Sequence, residues 1–169
     1  PDLARVRATA LVTMGGGAYQ ALRQILAEIH DSNTKSIAIG GLVTALRVQG
    51  GLPAMRLLLA HYRPPLSGPH ELGVRTLSSF RGEDELKELG KALLAEHGPR
   101  VQRVMVAGAL GRSKSAGAEA YLIDGLKTRQ ASVRCACVVA LGQLGATKHE
   151  RLIRRLAKDE DPRVRNAVF

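Results

Sequence analysis

The C-terminal part of this chain repeats itself at a fixed period. Arg103, Arg134 and Arg165 are evenly spaced in the sequence. The tripeptide Ala-Leu-Gly at 109–111 occurs again at 140–142, with the same spacing as the arginines. A fixed period of this size is typical of arrays in which each repeat is one helical unit stacked on the next. Because no single unit can bury its apolar face alone, neighbouring units share a continuous core. The period predicts a stack of helical units rather than a chain folded around one globular centre.

Residues 130–169 show the pattern of one unit most clearly. The first predicted helix carries apolar residues at helical spacing, namely Val133, Ala136, Cys137, Ala140, Leu141 and Leu144. Gly142 and Gly145 are expected to close this helix, because glycine accepts the backbone conformations found at helix ends. The second predicted helix opens at Thr147–Glu150 and has its own stripe at Leu152, Ile153, Leu156 and Ala157. Each unit is therefore a pair of amphipathic helices.

The following unit begins at Asp161 and Pro162. Aspartate is a favoured N-cap residue because its carboxylate accepts hydrogen bonds from free amides in the first helical turn. Proline suits the first helical position, since its ring already has a helical φ and its missing N–H is not needed there. A helix is predicted to start at Pro162.

The opening Asp-Pro-Arg-Val-Arg-Asn-Ala at 161–167 and the ending Ala-Leu-Gly-Gln-Leu-Gly at 140–145 resemble the HEAT repeat. The short bilin-lyase HEAT-like repeats are the most similar type. The resemblance is strongest over residues 130–169, weaker over 99–129 and weakest over 1–98. It implies an all-α fold, a right-handed α–α superhelix of antiparallel helix pairs that serves mainly as a binding scaffold.

One basic position recurs near the start of each predicted first helix. Its members are Arg7, Lys35, Arg75, Arg103, Arg134 and Arg165. They indicate about five helix pairs and a partial sixth, so we interpret residues 1–169 as a single repeat domain and as an excerpt of a longer array. In a stack these residues lie one above another, where they can reach acids or helix-end carbonyls of the next unit. We call these six residues the basic ladder and expect its role to be structural, with ligand contact as the alternative.

Lys35 and Arg75 are further apart in the sequence than the later members of the ladder are from each other. The segment Arg63–Pro69 absorbs the difference, because its three prolines and one glycine exclude a helix. An inserted loop in a repeat array often marks a functional edge. A neutral insertion explains the spacing equally well, and both interpretations stay open.

Cys135 and Cys137 are the two cysteines of the chain. Two positions apart on a helix, their side chains point about 200° away from each other, so they are not expected to form a disulfide or share a metal. We interpret them as small side chains that fill apolar space. As free thiols they are typical of a protein in an intracellular, reducing compartment. No metal site and no cofactor are predicted, and no apolar run approaches membrane-spanning length.

The net charge of +10 points to acidic partners, and one helix concentrates that charge. By resemblance to HEAT repeats, the outward faces of the second helices line an inner, concave wall. The predicted partner-binding residues on that wall are Arg23, Arg56, Lys91, Lys127, Arg151, Arg154, Arg155 and Lys158. Asp84, Glu88 and Glu119 lie on the same wall, so it is basic at its C-terminal end and mixed elsewhere.

These features favour a non-catalytic module whose concave face binds a protein with an acidic surface or segment. Nucleic-acid binding is the alternative. It is disfavoured because aromatic stacking platforms are scarce, at 3 % of residues, and a strong basic stripe occurs in one unit only. A third interpretation is an enzyme or a bilin-lyase-like accessory subunit. HEAT-like deoxyhypusine hydroxylases carry His-Glu pairs directly after the recurring arginine, whereas His149-Glu150 lies at the start of a second helix.

Overall fold

The computed structural model describes residues 51–61 and 71–168. The predicted first unit, most of the second and the Pro-rich segment Arg63–Pro69 lie outside the described residues. The chain divides into two compact units, residues 1–63 and 64–169. That residues 1–169 form one repeat domain stays a prediction.

In the first compact unit, helix α1 spans Leu52–His61. Met55 and Leu58 on this helix are fully buried, and Leu59 is half-buried. Burial at positions three apart places the packed side of this helix on one face.

The described part of the second compact unit consists of helices of six to 14 residues. Their bounds are Glu71–Leu77 (α2), Glu83–Leu94 (α3), Arg100–Arg112 (α4), Ala116–Gly125 (α5), Ala131–Leu144 (α6), Glu150–Arg155 (α7) and Pro162–Ala167 (α8). Short 3-10 turns at Thr147–His149 and Leu156–Lys158 flank α7. The described residues contain no strand, and the all-α prediction is confirmed.

These helices pack in two rows. In the first row α2 packs on α4, α4 on α6 and α6 on α8. In the second row α3 packs on α5, and both contact α4, while α5 also contacts α6. Helices in equivalent repeat positions thus lie beside one another, which is the arrangement of an α-solenoid. Its right-handedness stays a prediction.

Helix α6 lies between α4 and α8 in the first row. Val133, Cys137, Ala140 and Leu141 are buried as predicted, but Val138 is buried too, and Ala136 and Leu144 are only half-buried. The buried face is wider than a single stripe because α6 contacts α4 on one side, α8 on the other and α5 in the second row.

The end of α6 differs in part from the prediction. Gly142 lies inside the helix, and Gly145 alone ends it, in the left-handed conformation with φ of 70°. The Ala146 N–H donates to the Leu141 carbonyl across this turn, at 3.1 Å. The second helix that follows is also less regular than predicted, with six α-helical residues between the two 3-10 turns.

The start of α8 is as predicted. Pro162 is its first residue, and the Asp161 carboxylate accepts a hydrogen bond from the Arg163 N–H at 2.8 Å. At the start of α3, the Gly82 N–H donates to the Glu85 carboxylate at 2.9 Å. Both contacts satisfy amides that the helix itself leaves without a partner.

Candidate partner-binding surface

The arginines that recur at the repeat period hold the connections between helices. Arg165 Nη1 donates to the carbonyls of Asp159 and Glu160, at 2.8 and 2.9 Å. Arg134 Nη1 makes the equivalent contacts one repeat earlier, to the carbonyls of Thr128 and Arg129. Both side chains thus bind the end of the preceding unit, in the segment that leads into their own helix, whereas the sequence analysis expected contacts to the next unit.

Arg134 also contacts the end of its own helix pair, at the two residues just before the following unit begins. Its Nε and Nη2 donate to the two oxygens of Asp159, at 2.9 and 2.7 Å, and Nη2 lies 3.1 Å from Glu160. The Arg134 and Asp159 side chains are only 8 % and 7 % exposed. This is a buried, two-point ion pair that joins the first helix of this repeat to the end of its second helix.

The hydrogen bond from Arg134 is the largest cause that lowers the pKa of Asp159 below its ordinary value. The same hydrogen bond is the largest cause that raises the pKa of Arg134. Burial acts in the opposite direction on both pKa values, because it disfavours charge. The charged forms of Arg134 and Asp159 are therefore favoured by the hydrogen bonds and charges of their partners.

Arg103 has a different set of partners. Its Nε donates to the Leu93 carbonyl at the end of α3, at 2.6 Å, and the residue is 2 % exposed. Its Nη2 is buried and has no hydrogen-bond partner among the described residues. Arg75 is exposed, and Arg7 and Lys35 lie outside the described residues. The basic ladder as a set of six therefore stays a prediction.

The predicted partner-binding residues are exposed wherever their side chains are described. These are Arg56, Lys91, Lys127, Arg151, Arg154, Arg155 and Lys158, while Arg23 lies outside the described residues. Three of them are paired with acids one helical turn away. Lys91 contacts Glu88 at 3.0 Å, Lys127 contacts Asp124 at 2.7 Å, and Arg154 contacts Glu150 at 2.6 Å.

Arg151, Arg155 and Lys158 make no ion pair with any described residue. They are spaced by four and three positions, which places them on one side of α7 and of the 3-10 turn that follows it. Leu152 and Leu156, between them in sequence, are half-buried. We call Arg151, Arg155 and Lys158 the basic face.

Over residues 86–169 the sequence matches the HEAT repeats family. The matched region includes the two-row packing of α4, α5, α6 and α8 and the contacts of Arg103, Arg134 and Arg165. Residues 86–169 are HEAT repeats. No curated protein matches the chain in a sequence comparison. The finer resemblance to bilin-lyase HEAT-like repeats stays a prediction.

HEAT repeats commonly mediate protein–protein interactions and are in general non-catalytic. Within residues 51–61 and 71–168, no three His, Cys, Asp or Glu side chains are grouped so that they could hold a metal ion. In the same part of the chain, no helix combines the length and the apolar character that crossing a bilayer requires.

The HEAT repeats also contain an acid with two basic partners, Glu119, which the sequence analysis placed only on the mixed part of the wall. Glu119 on α5 lies 2.7 Å from Lys148 Nζ and 2.9 Å from His149 Nε2, so it joins α5 to the turn before α7. The Glu119–His149 contact is close but not aligned as a hydrogen bond. No sequence signal identified this pairing, because Glu119 and its two partners belong to different repeats.

Proposed function

We propose that this chain is a non-catalytic, protein-binding scaffold, and that its basic face binds an acidic segment of a protein partner. The single observation that carries the proposal is the exposure of Arg151, Arg155 and Lys158 on one side of a HEAT repeat without ion pairs to described residues. Cations that already have an intramolecular acid gain less from an external one, because the new contact must replace the old.

The structure therefore ranks the predicted partner-binding residues. Lys91, Lys127 and Arg154 have acids within 3.0 Å. The basic face has none among the described residues, so it is available to an external carboxylate at no loss of internal pairing. An acidic peptide can place its flexible carboxylate side chains against these three cations. Duplex DNA would need a longer row of basic residues to contact successive phosphates.

The test compares two triple charge reversals. One variant carries Arg151→Glu, Arg155→Glu and Lys158→Glu. The control carries Arg75→Glu, Arg81→Glu and Arg100→Glu, three exposed arginines outside the second helices. Both change the net charge by the same amount, so a difference between them reports position and not overall charge.

Fluorescence anisotropy with a labelled hexaglutamate peptide measures the binding. We expect the basic-face variant to bind at least about tenfold more weakly than the wild type, which corresponds to about 1.4 kcal/mol. The control is expected to stay within about threefold, because distant charges are screened. Equal weakening in both variants would contradict the proposal. Tighter binding of a random DNA duplex, with affinity falling steeply as salt rises, would replace it with nucleic-acid binding.

A further inference from the structure

The repeat period allows the surroundings of Arg103 and Arg134 to be compared position by position. Asp159, the partner of Arg134, corresponds to Thr128 one repeat earlier, and Glu160 corresponds to Arg129. Both acids of the later repeat are thus absent from the earlier one. Arg134 has its two carboxylates, whereas Arg103 has a neutral residue and a cation in their places.

The contacts of Arg103 reflect this difference. One nitrogen, Nε, donates to the Leu93 carbonyl, but Nη2 is buried without a partner among the described residues. The residue is 2 % exposed. A buried guanidinium nitrogen that lacks a partner is costly, because the hydration it gave up is not replaced.

A cavity of about 460 Å³ lies beside this arginine. Arg103, Lys127, Thr128, Arg129, Gln130 and His97 contribute to its lining. Two acids, Glu96 and Asp124, also line it, and Asp124 is already paired with Lys127 at 2.7 Å. Three arginine and lysine side chains against two carboxylates leave the lining net positive, and Gln130 Oε1 is a second buried atom without a partner among the described residues.

We propose that this cavity binds one carboxylate from the acidic partner segment, an Asp or Glu side chain that takes the place beside Arg103 that Asp159 takes beside Arg134. The inference rests on the proposed function for the source of the carboxylate, but it uses a different set of residues from the basic face. Rotation of the Gln130 amide exchanges its oxygen for its NH₂ group and provides a second donor to the bound carboxylate.

The decisive variant supplies the carboxylate within the chain. Thr128→Asp reproduces the aspartate of the next repeat, so it should pair with Arg103 and occupy the site. Thr128→Asn is the neutral control of similar shape. Thr147→Asp makes the same charge change at an exposed position outside this cavity. Thermal unfolding and anisotropy with labelled hexaglutamate are measured for all three variants and for the wild type.

We expect Thr128→Asp to raise Tm and to weaken hexaglutamate binding at least about tenfold. The two control variants should leave the affinity within about threefold of the wild type. A Thr128→Asp protein that melts at or below the wild-type temperature would overturn the inference, because the new carboxylate would then not be engaged by Arg103.

Other outcomes separate this inference from the proposed function. If Thr128→Asp binds hexaglutamate like the wild type while the basic-face variant does not, the carboxylate site is wrong and the scaffold function stands. If the wild type does not bind the peptide, both are wrong. If Thr128→Asp instead abolishes binding of a labelled oligothymidylate and not of the peptide, the cavity takes a nucleic-acid phosphate and the inference is overturned.

Discussion

The guanidinium of Arg134 binds the carboxylate of Asp159, 25 residues further along the chain, through two hydrogen bonds of 2.9 and 2.7 Å. The same arginine donates to the carbonyls of Thr128 and Arg129 on its other side. One side chain therefore joins the end of the preceding helix pair, the helix that bears it and the end of its own pair. The contacts to Thr128 and Arg129 make the stability of one HEAT repeat depend on the preceding one.

Asp159→Asn is expected to destabilise the protein by about 3 kcal/mol, because it leaves the buried charge of Arg134 without its main partner. Urea unfolding followed by circular dichroism measures the effect. Asp124→Asn is the matched control. Its salt bridge to Lys127 is equally short at 2.7 Å, but the two side chains are 51 % and 73 % exposed, so a change of no more than about 0.5 kcal/mol is expected. Equal losses of unfolding free energy in the two variants would show that the buried Arg134–Asp159 pair stabilises the protein no more than the exposed Lys127–Asp124 pair.

Acid should weaken the same contact. The pKa of Asp159 is lower in the folded chain than its ordinary value of 3.8, so the unfolded state takes up the proton first. The stabilisation from this pair is therefore complete above that ordinary value and is lost as the pH falls through the lower, folded pKa. Urea unfolding of the wild type and Asp159→Asn between about pH 7 and pH 2.5 tests this. We expect the difference in unfolding free energy between them to shrink below about pH 4; a constant difference would exclude the ion pair as its source.

Gly111 and Gly142 occupy equivalent positions but have different surroundings. A methyl group on Gly111 would lie 2.7 Å from Ala140 Cα and 2.8 Å from its Cβ, whereas nothing described lies within 4 Å of one on Gly142. Gly111→Ala should therefore separate α4 from α6 and cost about 1–3 kcal/mol. Gly142→Ala should be neutral or stabilise by up to about 1 kcal/mol, because alanine is the better helix former. Thermal unfolding compares the two, and a stabilised Gly111→Ala protein would show that the helices do not approach this closely in solution.

The two cysteines should differ in reactivity. Burial raises the pKa of Cys137 to about 12, and its side chain is fully buried. Cys135 is half-buried, with its pKa also raised, chiefly by burial, and its thiol lies 3.5 Å from the Arg163 carbonyl. Labelling with a chromogenic disulfide reagent at about pH 8 should modify the Cys137→Ala variant, which retains Cys135, at least about tenfold faster than Cys135→Ala. Similar rates would mean that α6 opens readily to solvent; full labelling of both in urea controls for thiol content.

Much of the local structure follows from the residues themselves. The helix start at Pro162, the Asp161 cap and the buried Val133, Cys137 and Leu141 were all predicted. These features depend on helical periodicity and on contacts within a few residues, which short stretches of sequence encode directly. The all-α class and the HEAT family follow from the same signals, because repetition of one local pattern leaves few other ways to bury it.

Only the three-dimensional structure shows which charged side chains form ion pairs. Sequence reasoning grouped Arg154 with Arg151 and Arg155, but the Glu150 carboxylate occupies Arg154 and leaves the other two unpaired among the described residues. It also gave Arg103 and Arg134 the same role, although of these two only Arg134 has an ion pair with a described acid. The repeat period thus determined which arginines are equivalent, while the packing of the helices decided which of them are neutralised. The reason is that an ion pair depends on the distance between the ends of two side chains, and a periodic pattern in the sequence carries no such distance. This holds for a partner on the same helix, as Glu150 is, and for one 25 residues away, as Asp159 is.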